Sequence, residues 1–344
     1  MSRRLRVAVL MGGRSSEHEV SLASAASVLE TLDPEKYETV RVEIGRDGRW
    51  EIGAGERREL SAASGNASRE LVPVNGAGVP ATFAEVDVVL PILHGPFGED
   101  GTVQGLLELA GIPYVGAGVT ASGLCMDKDL FKSVMRDKGV PVTQSVTLRE
   151  GERVEHPFDY PVFVKPARLG SSVGVSKVRT PEDLQSAVDL AFEHDEKILI
   201  EEFVDGVEVE CSVLGNRDPI SSLPGEIVSH GFEGADWYDY SAKYDDGGMD
   251  LLVPPRLSET QIDRVRDLAV RSFVASECEG MARVDFFVRN GDVLVNELNT
   301  IPGFTATSVY AKLFEASGIG YAELVDRLIQ LALERHERRA RLRF

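Results

Sequence analysis

Between residues 5 and 115 short apolar runs alternate with amphipathic stretches, a pattern that restricts this part of the chain to a sheet covered by helices. RVAVLMGG reads as a buried strand, and residues 16–32 as a helix with Leu22, Ala25, Leu29 and Leu32 on one stripe. YETVRVEI and VDVVLPIL read as further strands, and residues 102–110 as a helix closed by Gly111. The expectation is an α/β unit built on a parallel sheet with helices on both faces. Residues 53–80, rich in Gly, Ala and Ser, read as a loop-like insertion.

A chain of 344 residues exceeds what one core usually fills, and two α+β units follow. The second has a helix at 122–138 that stops at Gly139 and Pro141, then the strands PVFVKP, VGVSKV and KILIEEF around a glycine-rich turn. The third has a Gly/Asp/Tyr-rich stretch at 231–250, a helix at 258–276, the hairpin RVDFFVRNGDVLVNELN and a last helix from about 321 to 336. The units are therefore drawn at 1–121, 122–214 and 215–344.

Lys and Arg number 37 against 56 Asp and Glu, a net charge of −19. So acidic a surface does not suit a phosphate backbone, and nucleic acid is not an expected partner. No run approaches the ~20 apolar residues of a membrane span, and VAVLM is too short for the core of a signal peptide. Cys125, Cys211 and Cys278 are odd in number and far apart, which argues against a disulfide framework or a cysteine zinc site and fits a reducing cytoplasm. The basic end, ERHERRARLRF, reads as a complement to a helix C-terminus.

MGGRSSEHEVS follows a strand and opens a helix, whose free N–H groups suit an anion, though the spacing is not G-x-G-x-x-G. Ser16-x-x-Glu19 reads as a capping box. Glu17 is then left at the carboxyl edge of the sheet, where it would hold a substrate ammonium. In HGPFGEDGTVQG, residues 94–105, the glycines permit close backbone approach to a ligand, and His94 is either part of that site or a structural histidine.

Leu124, Lys128, Phe131 and Met135 fall at helical spacing, which puts Lys128 on an apolar stripe where it either snorkels or reaches an anion. Lys165 repeats the puzzle within PVFVKP. Followed by RLGSSVGVSK, residues 168–177, the two lysines point to phosphates held under a glycine-rich turn between strands. ILIEEFVDGVEVE, an acidic pair before a glycine break, would suit a hinge that receives adenine and ribose.

In the last hairpin Asn290-Gly291 marks the turn. With a three-residue loop, 290–292, Asp285 faces Glu297, and Asn299 lies two further along the same face. A strict two-residue loop would pair Asp285 with Asn296 and turn Glu297 away, so the arrangement needs a bulge or an odd loop. Two carboxylates and an amide there would hold Mg²⁺. Arg283, on the same face, would stabilise charge on a transferring group.

HGPFGEDGTVQG, KPARLGSSVGVSK, YDYSAKY and RVDFFV…NELNTIPG, with GGRSSEHEVS before them, closely resemble the D-alanine–D-alanine ligases of the ATP-grasp superfamily, in that family's order and over about residues 5–335. The resemblance implies a three-domain ATP-grasp architecture, α/β and α+β, with an N-terminal parallel-sheet domain. It implies ATP-dependent joining of two D-alanines through a D-alanyl phosphate, for peptidoglycan precursors, by a cytoplasmic homodimer using two Mg²⁺ or Mn²⁺ ions. By matching positions, Glu17 would hold the first D-alanine's ammonium with His94 nearby. Ser171 and Tyr244 would hydrogen-bond around Glu17, and Arg283 would stabilise the oxyanion. Ser308 would bind the second carboxylate, with Gly303 and Val309 beside it.

The same matching gives the nucleotide Lys128, Lys165, Ser172, Lys243 and Asn296. Glu201, Glu202, Val204 and Glu208 would line the adenosine pocket with Phe287, and Asp285, Glu297 and Asn299 would carry the metal. Glu202 and Leu169 stand where some members have Lys and Glu. Tyr244, in YDYSAKY, matches the dipeptide ligases; D-alanine–D-lactate ligases bear a histidine in that loop. A D-alanine–D-lactate or D-alanine–D-serine ligase is the alternative. The stretch 231–250 has a lid-like composition and is expected to close over bound nucleotide.

Overall fold

The first strand sets the N-terminal layer, because it is apolar on both faces and must be covered on both. In β1 (Leu5–Gly12), Val7, Ala8, Val9 and Leu10 are wholly buried. Val7 and Val9 pack on the side of α1 (His18–Thr31), and Ala8 and Leu10 on the opposite side. The protein is described by a computed structural model covering residues 3–54, 70–72, 86–229 and 249–343. No helix among these residues is long and apolar enough to cross a membrane.

The N-terminal unit continues with β2 (Tyr37–Ile44), β3 (Trp50–Ala54), β4 (Glu70–Val72), β5 (Val88–Pro91) and α2 (Thr102–Ala110). The sheet order is β4-β3-β2-β1-β5, with β1 parallel to both β2 and β5. The outer strands β3 and β4 run antiparallel, so the sheet is mixed rather than parallel throughout. A tight turn closed by Gly45 and Arg49 joins β2 to β3 and leaves no length for a crossover helix. Residues 53–54 and 70–72, read as insertion loop, are therefore strand; 55–69 and 73–80 lie outside the described residues.

A second correction concerns the start of α1. Its N-cap is Glu17, without a side-chain capping bond, so the capping box of Ser16 and Glu19 does not form. Ser15 and Ser16 stay in the preceding turn, and Glu19 pairs with Arg46 at 3.2 Å on the surface.

Two helices, α3 (Val119–Met126) and α4 (Lys128–Asp137), replace the single helix expected at 122–138. The break is at Asp127, whose carboxylate accepts the Leu130 N–H and the Lys197 ammonium, the latter at 2.6 Å. Lys128 thus opens α4, separated from Leu124 but still on the buried face with Phe131 and Met135. The second sheet is antiparallel throughout. Its order is β6-β9-β7-β8, from β6 (Ser145–Arg149), β7 (Val162–Pro166), β8 (Ser176–Val178) and β9 (Lys197–Glu202), with α5 (Leu184–Phe192) packed on it.

The third sheet comprises β10 (Val207–Gly215), β11 (Ile220–Ser221), β12 (Gly225–Ser229), β13 (Met249–Leu252), β14 (Gly280–Arg289) and β15 (Asp292–Asn299), in the order β13-β12-β10-β14-β15 with β11 on β10. The sheet pairing puts β10 with the third unit rather than the second. Phe131 and Met135 of α4 share their core with β10, β14, β15 and α6 (Glu259–Ala275). Two helices close the chain, α7 (Val309–Ala316) and α8 (Tyr321–Ala340), the latter longer than expected. Arg338 and Arg339 lie in its last turn, and they also pair with Glu279 and Glu108.

Arg335 ties α8 to the N-terminal unit. It is buried, donates to the carbonyls of Gly116 and, at 2.7 Å, Tyr114, and lies 4.3 Å over the Tyr114 ring. Arg335→Met strands both carbonyls and is expected to cost about 2–4 kcal/mol. Scanning calorimetry checks this: the unfolding midpoint should fall by several degrees, and an unchanged midpoint contradicts the assignment.

Candidate active site

A cavity of about 330 Å³ lies between the second and third sheets, a size that suits a small ligand. It is bordered by Lys128, Lys165, Ser171, Ser172, Glu201, Glu202, Val204, Glu208, Asp285, Phe287, Asn296 and Glu297. The nucleotide set expected from the sequence is thus brought together, apart from Lys243. That residue and Tyr244 lie outside the described residues, as does most of 231–250.

Its lysines are anchored rather than snorkelling. Lys128 donates to the Leu169 carbonyl at 2.7 Å and stands 3.4 Å from Glu297. Lys165 stands 2.5 Å from Glu201 and 3.5 Å from the Asn296 carboxamide oxygen. Sequence reasoning missed Lys132, which is wholly buried and bonds both Glu201 and Thr143. The available signal was its place four residues after Lys128, one turn along the same helix.

The hairpin settles its register by a bulge. Its turn has two residues, not three: Arg289 pairs with Asp292, and Asn290 and Gly291 take φ of 51° and 95°. A register shift between Asp285 and Phe286 then leaves Asn296 as the extra residue and sets Asp285 opposite Glu297. Both Asn296 and Glu297 consequently border the cavity. Arg283 grips Asp285 with two bonds of 2.7 Å and stands 2.9 Å from Glu210, while Asn299 donates to Asp285 at 3.0 Å. Burial pushes the guanidinium pKa down, but Asp285 and Glu210 outweigh it and keep Arg283 charged.

Asp285, Glu297 and Asn299 offer hard oxygen donors, the set that suits Mg²⁺, and Arg283 and Lys128 balance the carboxylates. Among the described residues no group of three or more His, Cys, Asp or Glu gathers for a metal. A bound Mg²⁺ would therefore need substrate oxygens or water to complete its shell.

Glu17 joins the N-terminal unit to this cavity. Its carboxylate accepts the Ser171 hydroxyl, and Ser171 and Ser172 hold φ of 52° and 57°, left-handed values that side chains avoid. Gly95 approaches Glu17 so closely that a Cβ there would sit 2.8 Å from Oε2. Buried His94 donates from Nδ1 to the Ile301 carbonyl at 2.9 Å, and its Nε2 finds no partner among the described residues. Burial lowers its pKa, so the ring is neutral and Nε2 presents a lone pair. Ser308 caps α7 geometrically, and its hydroxyl accepts the Thr305 N–H at 3.0 Å with Gly303 alongside and Val309 buried behind.

Glu99, also missed from the sequence, accepts the Gly95 N–H at 2.7 Å and the Ile301 N–H at 2.9 Å, linking the loops on either side of His94. Burial, then the charge of Glu17, push its pKa up to about 8. A raised acid pKa means that the folded chain binds the extra proton. Stability from this group is present below the ordinary value of 4.5 and lost as pH rises through about 8. Relative to Glu99→Gln, the wild type should lose stability between pH 5 and 8 in urea titrations. A pH-independent difference contradicts this.

Residues 6–117 match the family described as D-ala D-ala ligase N-terminus, and residues 134–330 match D-ala D-ala ligase C-terminus. A D-alanine–D-alanine ligase of Caldicellulosiruptor bescii is 44% identical over 99% of this chain and 98% of its own. Among solved structures, the D-alanine–D-alanine ligase of Coxiella burnetii aligns with a TM-score of 0.82 at 37% identity, over 98% of this chain and 97% of that one. The VanG D-Ala:D-Ser ligase of Enterococcus faecalis also aligns at 0.82, with 35% identity over 96% of this chain and 100% of that one. The chain belongs to the D-alanine–D-alanine ligase family, whose ATP-grasp fold it shares.

Proposed function

We propose that this chain joins two D-alanines at the junction of the cavity with Glu17, with ATP bound in the cavity. The observation that supports the reading is the Ser171–Glu17 bond: a carboxylate, the kind of group that suits an ammonium, stands at the end of a glycine-rich loop that borders the cavity. Phe287, Val204, Glu201, Glu202 and Glu208 receive the adenosine. Lys128, Lys165, Ser172 and Asn296 hold the phosphates; Lys243, expected with them, lies outside the described residues.

Glu17 fixes the first D-alanine by its ammonium, with His94 beside it, so that the carboxylate faces the γ-phosphoryl group. A carboxylate oxygen takes that group, giving an acyl phosphate and ADP. The amine of the second D-alanine, oriented through its carboxylate by Ser308, Gly303 and Val309, then attacks the acyl carbon, and phosphate leaves. Arg283 stabilises the oxyanion of that step, and Tyr244 completes the hydrogen bonding around Glu17. Asp285, Glu297 and Asn299 would hold two Mg²⁺ or Mn²⁺ ions, which supply positive charge to the transferring phosphoryl group when bound.

A homodimer is the assembly that the family resemblance supports. Free, buried Cys125, Cys211 and Cys278 support a reducing cytoplasm as its compartment.

The similarity to a D-Ala:D-Ser ligase favours one second reading, D-serine as acceptor. Phosphate release with D-alanine alone, then with D-lactate or D-serine added, followed by mass spectrometry of the product, separates the readings. D-alanine alone is expected to give phosphate and dipeptide together. Turnover that needs D-serine or D-lactate would move the assignment to that acceptor.

Glu17→Gln removes the charge that meets the ammonium. The KM for D-alanine should rise about 30-fold or more, while ATP affinity by calorimetry changes less than about threefold. An unchanged KM contradicts the role given to Glu17.

A further inference from the structure

Lys132 has no direct access to the cavity, yet it holds one of the groups that does. It is wholly buried in α4, and its ammonium bonds Glu201 Oε1 and Thr143 Oγ1. Lys165 takes the other oxygen, Oε2, at 2.5 Å. Glu201 itself is buried and borders the cavity near Val204 and Phe287. Its carboxylate is therefore pinned at both ends and cannot turn.

We infer that Lys132 is a positioning residue for base recognition: by holding Glu201 as a fixed acceptor, it makes the cavity select a purine that carries an exocyclic amino group over one that carries a carbonyl there. The inference rests on the reading that the cavity holds ATP. An ionised carboxylate only accepts hydrogen bonds. An amino group donates to it, whereas a ring carbonyl at the same place meets a second acceptor and is repelled. Discrimination of this kind is large, because the mismatched partner leaves buried polar groups unpaired.

Burial pushes the Glu201 carboxyl pKa up, and Lys132, then Lys165, more than offset it and hold the group below the usual carboxylate range. The charged groups around Glu201 are Lys132 from α4 and Lys165 from β7, with Glu297 of β15 acting on Lys132 from further off. Without Lys132, burial is opposed by one lysine only, and the carboxyl takes up a proton more readily. A protonated carboxyl donates as well as accepts, so it would admit the carbonyl purine.

ATP and inosine triphosphate, which differ at purine C6 and in the proton that N1 carries beside the carbonyl, test this by calorimetry on the full chain without D-alanine. The wild type should prefer ATP by about 100-fold or more, with little change between pH 6 and 7, since burial lowers the Lys132 pKa to about 8. Lys132→Met should reduce the preference below about tenfold at pH 6, with recovery towards pH 8 as the carboxyl ionises. A purely structural role would not give that pH dependence, and a wild-type ratio at every pH in K132M overturns the inference.

Should K132M not fold, Glu201→Gln decides. Lys132 also bonds Thr143, which borders the cavity, so this variant tests the carboxylate alone: a collapsed preference sustains the inference and an unchanged one overturns it. D-alanine-dependent phosphate release by the wild type, measured separately, tells failure of the ligase reading from failure of this one.

Discussion

Three carboxylates that the fold buries, those of Glu17, Glu201 and Asp285, need donors or cations beside them, and that requirement orders the site. Glu17, on the N-terminal unit, is met by Ser171 from the glycine-rich loop of the second. Glu201 is met by Lys132 and Lys165, and Asp285 by Arg283 and Asn299. Buried pairs of this kind add little net stability over an apolar replacement, but losing one partner is costly. Of the three, only Glu17 finds its partner across two units; Glu201 and Asp285 are held from within the second and the third.

The hairpin carries the same logic into the backbone. Its two-residue turn alone would set Asp285 against Asn296. The bulge inserts one residue, sets Glu297 opposite Asp285 and leaves Asn296 also bordering the cavity. The protein as a whole carries a net charge of −19, and around the cavity Lys128, Lys165 and Arg283 are each paired with a carboxylate, Glu297, Glu201 and Asp285.

Much of this was legible in one dimension. Apolar runs announced β1, β5 and β7, Asn290-Gly291 announced the turn, and lysines among apolar residues announced the cavity. What escaped was set by tertiary partners. Asp127 caps the second helix locally by accepting the Leu130 N–H, and Lys197, 70 residues away, holds its carboxylate there. Lys132 could be placed one turn after Lys128, but its partner Glu201, 69 residues away, could not be read from the sequence. Glu99 acquires its role from Ile301, 202 residues on. Glu210 was readable, since it alternates with Glu208 along VEVECSV and so shares its face.

In the proposed function a D-alanine carboxylate takes the γ-phosphoryl group at this junction. D-alanine labelled with ¹⁸O in its carboxylate, turned over with ATP, tests it most directly. One labelled oxygen should leave in the inorganic phosphate released with each dipeptide. Dipeptide formation with no label in the phosphate would contradict the claim.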